Sequence, residues 1–276
     1  MPHSPISEEN LPRPSEAPAA IAYVVRMLLA HDRTGTGPAL VLIHGITECR
    51  SAWDPLLALF AQHYDVLRVD LRGHGQSAPG DVYDPITLAT DVAQTVDAAD
   101  MHSPLVVGHS LGGIVASAYA AVARPRAVVN VDQPLRLADF KAALSQLEPM
   151  LRGDGASFET AIDLVFRSMM GPLPDDEAAR VGALRRADQS VVLGIWGTVF
   201  ESTAAELDAT VAALAGAITV PYLSLHGIDP GEAYGHWLHH LVPTATVEVW
   251  PDQGHYPHLL HPDRFVERVV DFDHLR

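Results

Sequence analysis

Residues 105–113 read Leu105-Val106-Val107-Gly108-His109-Ser110-Leu111-Gly112-Gly113. An apolar run, a glycine-flanked serine and a small-residue helix start follow one another without a spacer. Gly108 and Gly112 enclose Ser110 as G-x-S-x-G. Glycines on both sides let the backbone turn sharply and let the helix approach the strand closely. That turn would lift the serine hydroxyl to the carboxyl end of a sheet. A serine in a glycine-rich helix N-terminus reads the same way, so the flanking chain has to decide between the two.

The elements around this turn alternate. Residues 21–29, 39–43, 65–69, 105–107, 127–131, 222–225 and 247–250 read as strands. Helices are expected over 51–62, capped by Ser51, and over 87–99, 111–122, 231–241 and 262–272. The turn between the first two strands is Thr34-Gly35-Thr36-Gly37-Pro38. Alternation of this kind predicts an α/β fold, a mainly parallel sheet flanked by helices. Between Asp132 and Val220 no strand pattern occurs, only helical stretches such as 137–151, 158–169, 175–186 and 204–214. This segment is expected to form a helical lid above the carboxyl edge of the sheet. The division is a flexible N-terminal arm at 1–20, a core at 21–132 and 217–276, and a lid at 133–216.

Composition narrows the function classes. The 276 residues carry a formal net charge of −16, which argues against nucleic acid or an anionic membrane as partner. No apolar run approaches a membrane span. The proline-rich start lacks a basic region before an apolar core, so it does not read as a signal peptide. A single cysteine, Cys49, permits no internal disulfide, and a cytoplasmic location is the expectation. His239 and His240 are adjacent and would face different sides of a helix. His255, His258 and His261 are spaced three apart, but Pro257 and Pro262 interrupt any single helix. No metal or cofactor is therefore expected. The oligomeric state stays open.

A serine hydroxyl needs a base, and the base needs an orienting acid. His255 is the candidate base, because it follows the last strand in Asp252-Gln253-Gly254-His255. Two acids compete for it. Asp229, in His226-Gly227-Ile228-Asp229-Pro230, follows the penultimate strand and gives the chain order Ser, Asp, His. Asp132 ends the strand 127–131 and could face the same histidine. Asp229 is preferred, and its competing role is to cap the next helix. The backbone amides of Ile46, after the strand 39–43, and of Leu111 are the candidate oxyanion donors. Phe158, Phe166, Met169, Met170, Trp196 and Phe200 are the large apolar lid residues. Of these Phe166, Met170 and Trp196 are the expected substrate contacts, for a neutral and mostly apolar small molecule.

Taken together these residues resemble a lidded α/β-hydrolase with a serine nucleophile. The matching segments are His44-Gly45, Asp70-Leu71-Arg72-Gly73-His74-Gly75-Gln76-Ser77, Gly108 to Gly112, Gly227 with Asp229, and Gly254-His255. In the family's strand order the lid then follows the sixth strand, 127–131. The Asp70 to Ser77 segment is a structural hallmark in such proteins. Ser110 in place of aspartate argues against the dehalogenase and epoxide hydrolase branches. The resemblance implies cleavage of a carboxylic ester or related acyl bond through an acyl-enzyme. One departure is that a single residue, not two, separates Gly227 from Asp229, and this keeps Asp132 in contention. A cofactor-free oxygenase or lyase, with His255 and Asp132 as the base, is the alternative. A binding module that kept the fold is the third reading.

Overall fold

The computed structural model describes residues 27–274. The arm at 1–20 and most of the strand expected at 21–29 lie outside them. The seven strands are β1 (His31–Gly35), β2 (Ala39–Ile43), β3 (Asp65–Val69), β4 (Leu105–His109), β5 (Ala127–Val131), β6 (Tyr222–His226) and β7 (Ala245–Val249). They form one sheet in the order β1-β3-β2-β4-β5-β6-β7. Only β1 runs antiparallel; every other pair is parallel.

The helices are α1 (Asp54–Phe60), α2 (Pro85–Ala98), α3 (Leu111–Val122), α4 (Ala138–Ser145), α5 (Glu148–Leu151), α6 (Gly155–Met169), α7 (Asp175–Leu184), α8 (Gln189–Glu201), α9 (Ala204–Gly216), α10 (Glu232–Leu241), α11 (Pro257–Leu260) and α12 (Pro262–His274). None of the helices described is long and apolar enough to cross a membrane.

The central strands are apolar on both sides because both faces of the sheet are covered. Val41 and Ile43 of β2 join the cluster that contains α2, α3 and α9 residues. Leu40 and Leu42 join the opposite cluster with Phe60, Trp53 and Phe265. The six helices α4 to α9 lie between β5 and β6, which are direct neighbours in the sheet. A chain that leaves one parallel strand and returns to the next thus carries the whole insertion at the carboxyl edge.

Three local expectations are corrected. The first strand is His31–Gly35, inside the stretch read in part as a turn, and residues 27–30 are irregular. Its side chains are mostly exposed, so hydrophobic pattern could not reveal it; backbone pairing with β3 makes it a strand. The helix expected at 51–62 begins as a 3-10 turn, Arg50–Trp53, and Ser51 caps neither piece. The helix expected at 137–151 divides into α4 and α5, with Pro149 near the start of the second.

The Asp70 to Ser77 segment acts as a fastener. Asp70 accepts from the amides of Arg50 (2.7 Å) and Gln76 (2.9 Å) and is bonded to the Arg50 guanidinium. The Ser77 hydroxyl donates to the Asp70 carbonyl at 2.7 Å and accepts from the Ala30 amide at 2.8 Å. Arg72 Nη2 donates to Asp91 of α2 at 2.8 Å.

Candidate active site

Ser110 sits between β4 and α3 with φ 53° and ψ −123°. A non-glycine residue in the left-handed region is strained, and strain of this kind gathers at functional sites. The turn has no room for side chains beside it. A Cβ on Gly108 would lie 1.9 Å from the Gly112 carbonyl oxygen, and one on Gly112 would lie 2.2 Å from that of Ile43. Both atoms to be moved are backbone. Gly112→Ala is therefore expected to cost about 1–3 kcal/mol or more, as overpacking against a rigid core does. Urea unfolding would measure it, and an unchanged midpoint would contradict the close approach.

His255 is presented from the loop after β7. Gly254 before it has φ 65° and lies against Gly171 of the insertion, so closely that a Cβ would come 2.5 Å from the Gly171 Cα. The His255 amide donates to the Met169 carbonyl at 2.8 Å. The insertion thus holds the histidine loop directly. Of the two competing acids, the structure brings Asp132 to the histidine. His255 Nδ1 lies 2.6 Å from Asp132 Oδ2. Asp132 Oδ1 accepts from the amides of Gly227 (2.7 Å) and Ile228 (3.0 Å).

The preference for Asp229 is corrected by this geometry. Asp229 is exposed, and its carboxylate accepts from the Gly231 amide at 2.9 Å, just before α10. With only Ile228 after Gly227, the loop presents its amides toward the site and its carboxylate to the following turn. Burial resists ionisation of Asp132, but the His255 hydrogen bond and charge, with the two amides, outweigh it and hold the carboxyl below its ordinary range.

An ionised carboxylate only accepts, so His255 carries its proton on Nδ1 and leaves Nε2 as the basic nitrogen. Ser110, Asp132 and His255 all line a cavity of about 820 Å³ between the insertion and the sheet edge. Ile46 and Leu111 line it too. The loop that carries Ile46 passes the serine closely, since a Cβ on Gly45 would lie 3.2 Å from Ser110 Cβ. Leu111 opens α3, where unpaired amides and the helix dipole favour negative charge.

The cavity wall also includes Phe166 and Trp196. Met170 is not among the lining residues. It packs against the cluster on the other face, and its neighbour Met169 takes the cavity position. Adjacent residues at a helix end point about 100° apart, so an apolar run does not tell which of two methionines faces inward.

A buried network that sequence reasoning missed lies behind the serine. Glu48 Oε2 accepts from the Gly45 amide at 3.0 Å, and Glu48 Oε1 accepts from the Tyr256 hydroxyl at 3.0 Å. His109 Nδ1 faces Glu48 Oε2 at 3.6 Å, and His109 Nε2 donates to the His255 carbonyl at 2.9 Å. Burial pushes the Glu48 carboxyl up, but His109 and the Gly45 amide more than reverse it, and the group stays ionised. Arg185 of the insertion donates to the Tyr256 hydroxyl at 3.1 Å, and the Arg186 amide donates to the Thr47 carbonyl at 2.8 Å. The network ties the Gly45 loop, the His255 loop and the insertion together. In the sequence Glu48 looks like any loop acid, and only its burial marks it.

Several other histidines here are buried and neutral. Burial pushes His74 and His226 down to about 4 and lowers His44 and His258 as well. Between 6.5 and about 4 the unfolded chain takes up protons that these folded rings refuse. Stability is therefore expected to fall as pH drops through that window, by roughly 3 kcal/mol for each of His74 and His226. Asp132 adds little to this loss, because the window lies above the ordinary carboxyl value of 3.8, where the unfolded chain is ionised at this position as well. Urea midpoints at pH 7.5, 6, 5 and 4.5 measure the slope; a flat series contradicts it.

Comparison with known proteins agrees with this architecture. Residues 40–268 match the model described as Alpha/beta hydrolase family. An uncharacterized protein of Mycobacterium tuberculosis, Rv2715, is 40% identical over 87 residues, which is 31% of this chain and 26% of that protein. The chain thus matches about a quarter of that relative's length. The pimeloyl-[acyl-carrier protein] methyl ester esterase of Chromobacterium violaceum is 29% identical over 89% of this chain and 98% of its own. The solved enol-lactonase of Burkholderia xenovorans LB400 shares the fold with a TM-score of 0.69, at 22% identity over 88% of this chain and 95% of that one. The sheet, the strained serine turn and the family match agree: the chain belongs to the alpha/beta hydrolase family.

Proposed function

We propose that the protein is a serine hydrolase that cleaves a carboxylic ester or related acyl bond of a neutral, mostly apolar small molecule. The observation that carries this reading is the 2.6 Å bond between His255 Nδ1 and Asp132, with Ser110 on the same cavity wall. Ser110 Oγ attacks the acyl carbon while His255 Nε2 takes its proton. The Ile46 and Leu111 amides receive the oxyanion. The tetrahedral intermediate collapses, the C–O bond to the leaving group breaks, and His255 returns the proton to that oxygen. Water then repeats the sequence on the acyl-enzyme and frees the acid. Asp132 holds the imidazole and stabilises its charged form. The helices over the cavity serve as the lid. An esterase over nearly the whole length of the chain is consistent with this chemistry.

A fluorophosphonate probe tests the proposal. Wild-type protein is expected to gain one covalent adduct on Ser110, and Ser110→Ala none.

The position of Asp132 at the end of β5 favours one second reading. It is the arrangement the sequence resemblance associates with cofactor-free oxygenases, in which His255 would draw a proton from the substrate and Ser110 would only orient it. That reading expects little labelling of Ser110 and no ester turnover.

A further inference from the structure

The cavity is much longer than a small acyl group needs. Its wall takes in Leu111 and Ile114 at the start of α3 and, two turns further on, Ala121. These residues are three and seven apart and share one face of the helix. On α9 the wall includes Leu207, Val211 and Leu214, spaced four and three apart on one face, with the exposed Thr210 and Ala213 beside them. The two helices pack together in the fold. Two apolar stripes thus run along the cavity, starting at Ser110, the residue that precedes α3. From Ser110 to Ala121 is eleven residues, or about 16 Å at 1.5 Å per residue. Ala121, eleven residues from Ser110, lines the cavity and is exposed, as is Ala213 of α9, so the cavity opens to solvent beside them. A straight alkyl chain advances about 1.25 Å per carbon, from single-bond lengths and tetrahedral angles. The stripe therefore spans about a dozen carbons.

From this geometry we infer that the cavity along α3 and α9 is a subsite for a long unbranched alkyl limb, and that the substrate is a medium- to long-chain ester. The inference rests on the hydrolase reading for its chemistry, but the subsite itself does not. The small side chains of Ala121 and Ala213 leave width for a chain beside them. Each methylene buried there would favour binding by about threefold to fourfold. Binding energy won far from the reacting bond can appear in kcat/KM.

The test uses two ester series on the full chain. 4-Nitrophenyl alkanoates lengthen the acyl limb, and alkyl acetates lengthen the alcohol limb. In one series kcat/KM is expected to climb at least a hundredfold from four carbons to about twelve, then level off. Ala121→Trp, which plugs the far end from an exposed position, should lower the twelve-to-four ratio at least tenfold. A maximum at two to four carbons in both series overturns the inference, as does a ratio that Ala121→Trp leaves unchanged. A binding arm is independent of turnover: dodecan-1-ol and butan-1-ol are titrated against Ser110→Ala and followed by tryptophan emission, since Trp196 lines the cavity. Tight dodecanol binding that Ala121→Trp weakens, in a protein that hydrolyses no ester, would sink the hydrolase reading and keep the subsite. Equal affinity for the two alcohols would sink the subsite whatever the enzyme hydrolyses.

Discussion

Ser110→Ala is expected to lower kcat by about four to six orders of magnitude on any ester that the wild-type chain hydrolyses, with KM little changed. A nucleophile and its base act as a unit, so removing the serine alone costs nearly as much as removing both. What remains is the catalysis supplied by the oxyanion donors and by binding. Binding should survive because the cavity wall is mostly apolar and the lost atom is one hydroxyl oxygen. Stability should survive as well. The strain at φ 53° is a backbone property that alanine inherits from serine. The measurement is kcat and KM on one ester, with thermal melting as the folding check. An alanine variant that folds and retains even a tenth of wild-type kcat would remove Ser110 from the chemistry.

Much of this site is legible in the sequence. The apolar runs of β2, β4 and β5 are buried on both faces, so composition alone marks them as central strands. The serine turn is legible as G-x-S-x-G because only glycine fits at 108 and 112, which face backbone oxygens at distances no side chain tolerates. His255 stood out by following the last strand with a glycine before it. The features that stayed hidden depend on where a backbone turns. β1 is an exposed edge strand with no alternation, held by its register with β3. Glu48 is a loop acid made structural by His109 and Tyr256, residues 61 and 208 positions away. Met169 and Met170 differ only by a step of one residue at a helix end.

The choice between two carboxylates belongs to the same class, and it carries the second large expected effect. Asp132→Asn should lower kcat by about 10⁴, the cost an amide in this place has in a serine protease. The amide nitrogen is a donor, so it cannot accept from His255 Nδ1 while its oxygen accepts the amides of Gly227 and Ile228. The imidazole must then move its proton to Nε2, where it can no longer act as base toward Ser110. The charge that stabilises the imidazolium is lost in the same substitution. Asp229→Asn should keep kcat within about twofold. Its carboxylate is exposed and bonds only its own turn, where asparagine caps as well as aspartate does. Both variants should melt near the wild-type temperature, because asparagine at 132 is isosteric and still accepts from two amides. Steady-state rates on one ester decide the matter. A healthy Asp132→Asn would be incompatible with a histidine base held at 2.6 Å by this carboxylate. A crippled Asp229→Asn would mean that the loop after β6 reorganises when substrate binds. With both results as expected, Ser110 labelling then separates the two remaining chemistries. An acyl-transfer enzyme loses labelling and turnover together in Asp132→Asn, since both require the serine proton to leave. An enzyme that uses His255 on the substrate loses turnover only, because Ser110 was never its nucleophile.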